Sequence, residues 1–246
     1  MNATVSVISW TDLGIMVIPI AAVVAIMFAW NLRPWFALYS NARMLLQLTL
    51  IGYFLVFIFE ADEAWFIVLV LTSMLLVASW ISLNPIVGDR WRLYPIVLVS
   101  LTLGGGMMLF LVTQKVLHVD PWYSPRETVP LAGMIFANSM TTVCLAAERY
   151  EAELKNGVAV PEARRIAFQT GMIPVINSML AVGLVALPGM MTGQILSGVS
   201  PLIATRYQIV VMSMLFGASG LCAACYLQLV SVLGISAGAR TRVVDS

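Results

Sequence analysis

The chain has 246 residues, of which 61% are hydrophobic and 10% charged, with a formal net charge of +1. A soluble domain carries about 25% charged residues, and surface-to-volume scaling leaves too much wet surface for so apolar a composition. A soluble enzyme is therefore excluded, and the near-neutral balance argues against a basic nucleic-acid surface.

Residues 1–12 contain no Lys or Arg. A cleavable leader needs a basic flank, so the first apolar stretch is expected to stay in place. A spanning helix needs roughly 20 apolar residues to cross about 30 Å of hydrocarbon, and helices are imposed because no water is there to satisfy the backbone. About seven stretches qualify: 13–30, 44–59, 64–83, 93–117, 129–147, 172–187 and 207–233. The expected fold is an all-α polytopic bundle forming one permease domain over 1–246, multi-pass in the inner (plasma) membrane. Residues 190–206 read as an external loop or a re-entrant segment. With the N-terminus outside and the C-terminus cytoplasmic, ten of the 13 basic residues, Arg240 and Arg242 among them, fall inside. That bias follows the positive-inside rule and favours an odd number of spans.

Pro19 lies in mid-stretch of the first span, where a simple bend is expected. Gly104, Gly105 and Gly106 sit inside the fourth and read as a close helix approach or as a hinge. The acidic turn Glu60-Ala61-Asp62-Glu63 reads first as a solvated outer turn. Cys222 and Cys225 form a CxxC inside the last span, where a small-residue packing role outweighs redox chemistry. His118 is the only histidine, and one histidine builds no metal site. Fifteen methionines are many. Packing is their commoner role, with Met190 and Met191 as the pair placed to meet a soft metal ion in transit.

Polar groups in lipid usually face protein. Gln47 lies in the second stretch, Asn138, Thr141 and Thr142 in the fifth, and Asn177 and Ser178 in the sixth. Met134 shares the Asn138 face at helical spacing. Gln47, Met134, Asn138 and Asn177, with Met190 and Met191, form the candidate translocation path. Interhelical hydrogen bonding that only holds the bundle together is an equal alternative.

Residues 148–171, ERYEAELKNGVAVPEARRIAFQTG, are far more charged than the rest. Gly157 and Pro161 divide them into two short helical pieces. A solvated loop is one reading, and a docking element for a cytoplasmic partner is the other. Glu151-Ala152-Glu153, followed after three residues by Gly157, resembles the EAA…G loop of ABC-transporter permeases. The usual Ile and Leu-Pro continuation is absent. VPLAGMI at 129–135 with Asn138 and Met140, VGLVALPGMMTG at 182–193, and GVSP at 198–201 with Tyr207-Gln208-Ile209 resemble the FetB-type permease family. The likeness covers most of the chain and is densest over 129–229.

The resemblance implies the membrane subunit of an ABC exporter linked to iron export and oxidative-stress resistance. A plant relative of that family is linked to aluminium tolerance and UDP-glucose transport, so a UDP-sugar or another small solute is the alternative cargo. The resemblance further implies a separate cytoplasmic ATPase subunit that binds the ATP, a homodimer of permeases, and no cofactor on this chain. Glu151, Ala152, Glu153, Gly157, Arg164 and Arg165 would couple to the ATPase. The charged residues that some members carry near Asn177 and Leu180 are replaced here by neutral ones.

The residues weigh independently against other classes. No G-x-x-x-x-G-K-[ST] loop is present, as a subunit that borrows its ATPase requires. A retinal protein needs a lysine in the last span, and only Lys115 and Lys155 exist. A zinc protease needs H-E-x-x-H. A secondary transporter remains the competing class, although inverted repeats and mid-span ionisable groups are not visible.

Overall fold

The computed structural model describes residues 9–60, 63–86 and 88–235. Asp62, Arg240 and Arg242 lie outside the described residues, so the acidic turn and the C-terminal charges of the orientation argument do too. Among the described residues the structure is helical, with no strand. It divides into two compact units, 1–60 and 61–246.

The first unit holds α1 (Trp10–Ile15), α2 (Val17–Ala29) and α3 (Pro34–Glu60). Ser9 caps α1 in a reciprocal box with Asp12, which satisfies two orphan backbone donors. The helix breaks at Met16, which puts Pro19 in the first turn of α2. There its missing N–H costs little. α3 starts ten residues before the expected 44 and takes in Arg43. Gln47, one turn later, faces the Arg43 guanidinium, and with its amide oxygen turned toward it accepts from Nε at 3.1 Å and Nη2 at 3.3 Å.

The second unit holds α4 (Ala64–Ile81), α5 (Arg90–Leu101), α6 (Met107–Phe110), α7 (Pro125–Lys155), α8 (Val160–Ala181), α9 (Gly189–Leu196) and α10 (Pro201–Leu233). Two π-helical stretches, Thr102–Gly106 and Leu111–Val116, join α5 and α6 into one span. α7 is central, packing on α4, α5, α8 and α10. The core is built from small residues such as Ala146, Ala167 and Ala218 around Tyr226, all fully buried. Lipid-embedded helices gain little from the hydrophobic effect between them, so small residues that permit close backbone approach take its place.

Among the described residues, six helices are long and apolar enough to span a membrane, the last two being α7 and α10. The expected span at 172–187 is not one of them. α8 opens with Glu162, Arg164 and Arg165, leaves the helix at Val182 and turns through Gly183 at φ 85°. The Gly183 N–H closes that turn on the Ala186 carbonyl at 3.0 Å. Pro188 then caps the short α9, so 190–206 comprises most of α9, a turn and the start of α10.

The glycine triad shows how tightly the span is set. A Cβ on Gly104 would lie 2.7 Å from the backbone nitrogen of Cys222, whereas one on Gly106 meets nothing within 4 Å. Gly104→Ala is expected to destabilise the fold by about 1–3 kcal/mol through overpacking. Gly106→Ala should stay within about 1 kcal/mol of the parent. Thermal unfolding in detergent of the two variants checks the contrast.

Candidate functional site

α7 has 31 residues, which at 1.5 Å per residue is roughly 46 Å, longer than the ~30 Å hydrocarbon core. Its apolar part ends at Ala147, so residues 148–155 extend beyond it as the last two turns of the same helix. The charged segment is therefore not two short pieces but the facing ends of α7 and α8.

The turn between them has a definite chemistry. Asn156 is the C-cap and Gly157 follows at φ 80°. Val158 N–H donates to the Glu153 carbonyl at 3.1 Å, and Gly157 N–H to the Leu154 carbonyl at 3.1 Å. This is a Schellman stop, which wants glycine at the left-handed position. The glycine of the EAExxxG pattern is thus the residue that ends α7. Ala159 is extended, and Pro161 sits in the first turn of α8. α8 then returns antiparallel along α7. A Cβ on Gly171 would lie 2.7 Å from the Thr142 carbonyl oxygen, which shows how close the two backbones run.

The charges on this hairpin sort by direction. Glu151 and Glu153 are buried, each 7% exposed. Glu153 pairs with Arg149 at 2.5 Å, one turn back on α7. Glu151 lies within electrostatic reach of Tyr150 and Tyr226. With Glu148, Ala152 and Lys155 it lines a cleft of about 210 Å³ against Pro85 and Ile86. Outward on α8, Arg165 donates to Glu162 from Nη2 at 2.6 Å and Nε at 3.0 Å. Those hydrogen bonds hold the Glu162 carboxyl below its ordinary range. Arg164 turns aside and donates to Gln228 Oε1 on α10 at 2.5 Å. Gly157 and Lys155 are exposed at the tip.

At the opposite end of α7, Met134 and Met190 line one cavity of about 210 Å³ together with Arg126, Glu127, Gln194 and Tyr207. Glu127 lies in the first turn of α7 and accepts from the Ser124 hydroxyl. Asn138 is one turn from Met134 and spends its amide N–H on the Met134 carbonyl at 2.9 Å. Thr141 bonds the Ala137 carbonyl at 3.0 Å in the same way, a back-bonding that satisfies polar groups inside one helix. Met191 is half-buried outside the cavity, Asn177 is on the exposed face of α8, and Gln47 belongs to the first unit. Glu127 and Gln194 escaped sequence reasoning. An acid in a first helical turn looks like ordinary dipole complementation, and Gln194 fell in a stretch read as an external loop or a re-entrant segment. Cys222 is buried against Gly104, and the cysteines are free thiols. Among the described residues, no three His, Cys, Asp or Glu side chains gather as a metal site.

Residues 10–233, from α1 to the end of α10, match the uncharacterised protein family UPF0014. The chain belongs to the UPF0014 family. It is 34% identical to the UPF0014 membrane protein slr1647 of Synechocystis, over 83% of this chain and 85% of that one. It is 33% identical to Protein ALUMINUM SENSITIVE 3 of Arabidopsis thaliana, over 74% and 71% of the two chains. It is 30% identical to the probable iron export permease protein FetB of Escherichia coli, over 77% and 78%. No solved structure matches. This UPF0014 member is a multi-pass membrane protein, as its six candidate spans require.

The two hairpin ion pairs differ in burial, and the UPF0014 fold should register it. Glu153→Gln strands a half-exposed Arg149 and loses a nearly buried carboxylate. A cost of about 1 kcal/mol is expected, below that of a fully buried pair because water screens the arginine. Glu162→Gln breaks a pair exposed on both sides and should leave the melting temperature unchanged. Parallel melts of both variants test the distinction.

Proposed function

We propose that the chain is the membrane subunit of an ABC transporter that exports iron, working as a homodimer with a separate cytoplasmic ATPase. The observation that carries the reading is the α7–α8 hairpin: a continuous helix leaves the apolar stretch, stops at the glycine of an EAExxxG pattern, and returns. The relative named as a probable iron export permease supports the cargo and the outward direction. The basic residues of the hairpin, Arg149, Lys155, Arg164 and Arg165, support a cytoplasmic position for this end.

In this proposal the hairpin has two parts. Arg149, Glu151 and Glu153 brace it from within, which makes it stiff enough to act as a lever. Ala152, Lys155, Gly157, Glu162 and Arg165 form the side that an ATPase cleft grips. ATP binding closes the ATPase pair and carries the tip with it. Because α7 is one helix, displacement of the tip reaches Met134 and Glu127 at the far end. Nucleotide shifts the equilibrium only by binding the two arrangements differently.

The cavity beside α9 is the proposed outer part of the path. Glu127 is the one carboxylate among its lining residues and suits a hard or borderline cation. The thioethers of Met134 and Met190 add soft contacts. Asn138 continues the path one turn deeper, with Asn177 and Met191 as proposed further contributors.

Reconstitution with the ATPase in liposomes tests the proposal. ATP-dependent iron movement out of the ATPase side is expected, with manganese, copper(I) and UDP-glucose as comparison cargoes. Movement of a UDP-sugar without metal would remove the iron assignment and keep the coupling. Glu127→Gln should lower iron flux about tenfold or more, with ATPase binding intact. Reversing the tip charges, Lys155→Glu with Glu162→Lys, should weaken ATPase co-purification without lowering the melting temperature. Unchanged co-purification and unchanged transport would count against the hairpin as the coupling element.

A further inference from the structure

The groove between α8 and α10 shares Arg164 and Arg165 with the proposed coupling hairpin, but its depth and its apolar wall are features that coupling does not require. The two helices run antiparallel: Arg164 meets Gln228, and two turns further on Met172 packs over Gly220. Beside the Arg164 contact they part to leave a cavity of about 690 Å³. Its polar end is lined by Arg164, Arg165, Gln169 and Gln228, and its apolar wall includes Phe168 and Leu227. Two guanidinium groups and no carboxylate belong to this lining. Arg165 shares its charge with Glu162, but Arg164 is held by a neutral amide, so the mouth keeps a positive field.

The apolar wall continues in the right direction. Stepping along α10 from Gln228 by helical spacing gives Ala224 and then Leu221, which is 41% exposed. The same steps along α8 from Gln169 give Ile173, 52% exposed. Both lead away from the charged hairpin toward the middle of the spans. The groove therefore joins cationic hydrogen-bond donors near the charged hairpin to an exposed apolar strip of Ala224, Leu221 and Ile173.

We infer that this groove binds a membrane phospholipid with an anionic headgroup, its phosphate at Arg164, Arg165, Gln169 and Gln228 and an acyl chain along Phe168, Ala224 and Leu221. Basic pockets between spanning helices select such headgroups, and a planar guanidinium pairs with phosphate oxygens in bidentate fashion. A bound lipid would hold α8 against α10 beside the hairpin. The inference rests on the membrane fold and not on the cargo or the ATPase.

The test uses the purified full-length protein with phosphatidylglycerol, phosphatidylcholine and soluble glycerol 3-phosphate. Phosphatidylglycerol is expected to raise the melting temperature by several degrees over phosphatidylcholine at equal mole fraction, and glycerol 3-phosphate to give no shift. The double variant Arg164→Gln with Arg165→Gln should lose the difference between the lipids. A photoactivatable phosphatidylglycerol on the unaltered protein gives a readout independent of how that variant folds. Adducts are expected within 164–173 and 221–228. Equal shifts from both lipids, a full shift from glycerol 3-phosphate, or adducts confined to other helices would overturn the inference. So would cross-linking that places a second copy of the chain over Ala224 and excludes the lipid.

Discussion

A helix of 31 residues does not fit inside a bilayer. At 1.5 Å per residue α7 exceeds the hydrocarbon by roughly 16 Å, and tilt absorbs only part of that. The surplus must leave the lipid, and its composition fixes which part does: residues 148–155 hold Glu148, Arg149, Glu151, Glu153 and Lys155. The rest of the second unit follows from that overhang. Gly157 ends the helix in a left-handed conformation, α8 returns along α7, and α10 packs against both. The charged hairpin, the basic groove beside it and the cavity at the far end are all positioned by one helix longer than its solvent is thick.

Close backbone contact holds the bundle together. Gly104 and Gly105 are adjacent in sequence, yet a Cβ on the first would strike Cys222 of α10 and one on the second would crowd Ile135 and Phe136 of α7. Two successive positions thus serve two neighbouring helices. The π-helical stretch at Thr102–Gly106 lies at this point, and a π turn rotates side chains relative to α-helical phase while leaving a local weakness in the hydrogen-bond ladder. Gly104 and Gly105 are therefore a packing device set in one of the two regions of the span whose helical geometry is irregular. Of the two readings that the sequence left open, the contacts support the close helix approach.

Much of the fold was legible because lipid enforces it. The stretches 64–83, 93–117, 129–147 and 207–233 correspond to Ala64–Ile81, Arg90–Val116, and the interiors of α7 and α10. The run at 172–187 misled, since its residues are apolar but Gly183 takes a positive φ and Pro188 follows five residues later. Composition registered the hydrophobicity, while turn chemistry ended the helix. In the hairpin, Gly157 was legible as a breaker, and its Schellman role follows from local geometry. That Glu151 and Glu153 turn inward was not legible. Glu151 comes within electrostatic reach of Tyr226, 75 positions away in sequence, only through the packing of α10 against α7. For the same reason the cavity joining Met134 to Met190 was visible only in part. The methionines stood out, while Glu127 and Gln194 acquired meaning only once the start of α7 and α9 were seen to line one cavity.

The chemistry of that cavity bears on how a transport path should bind. A permanent metal site gathers three or four strong ligands and holds its ion tightly. Conduction needs the opposite balance, with attraction enough to draw the ion in and weakness enough to let it go. One carboxylate, two thioethers and an amide meet that requirement for a borderline cation such as iron(II). Glu127 supplies charge, Met134 and Met190 supply polarisable contact without charge, and Arg126 limits how negative the site becomes. In the proposed path the same set would serve a UDP-sugar badly, because Glu127 would repel its anionic diphosphate. The proposed cargo and the lining of the cavity are therefore consistent on physical grounds separate from the likeness to any relative. Loss of charge at Glu127 would weaken the hold on a cation and relieve the repulsion of an anionic UDP-sugar.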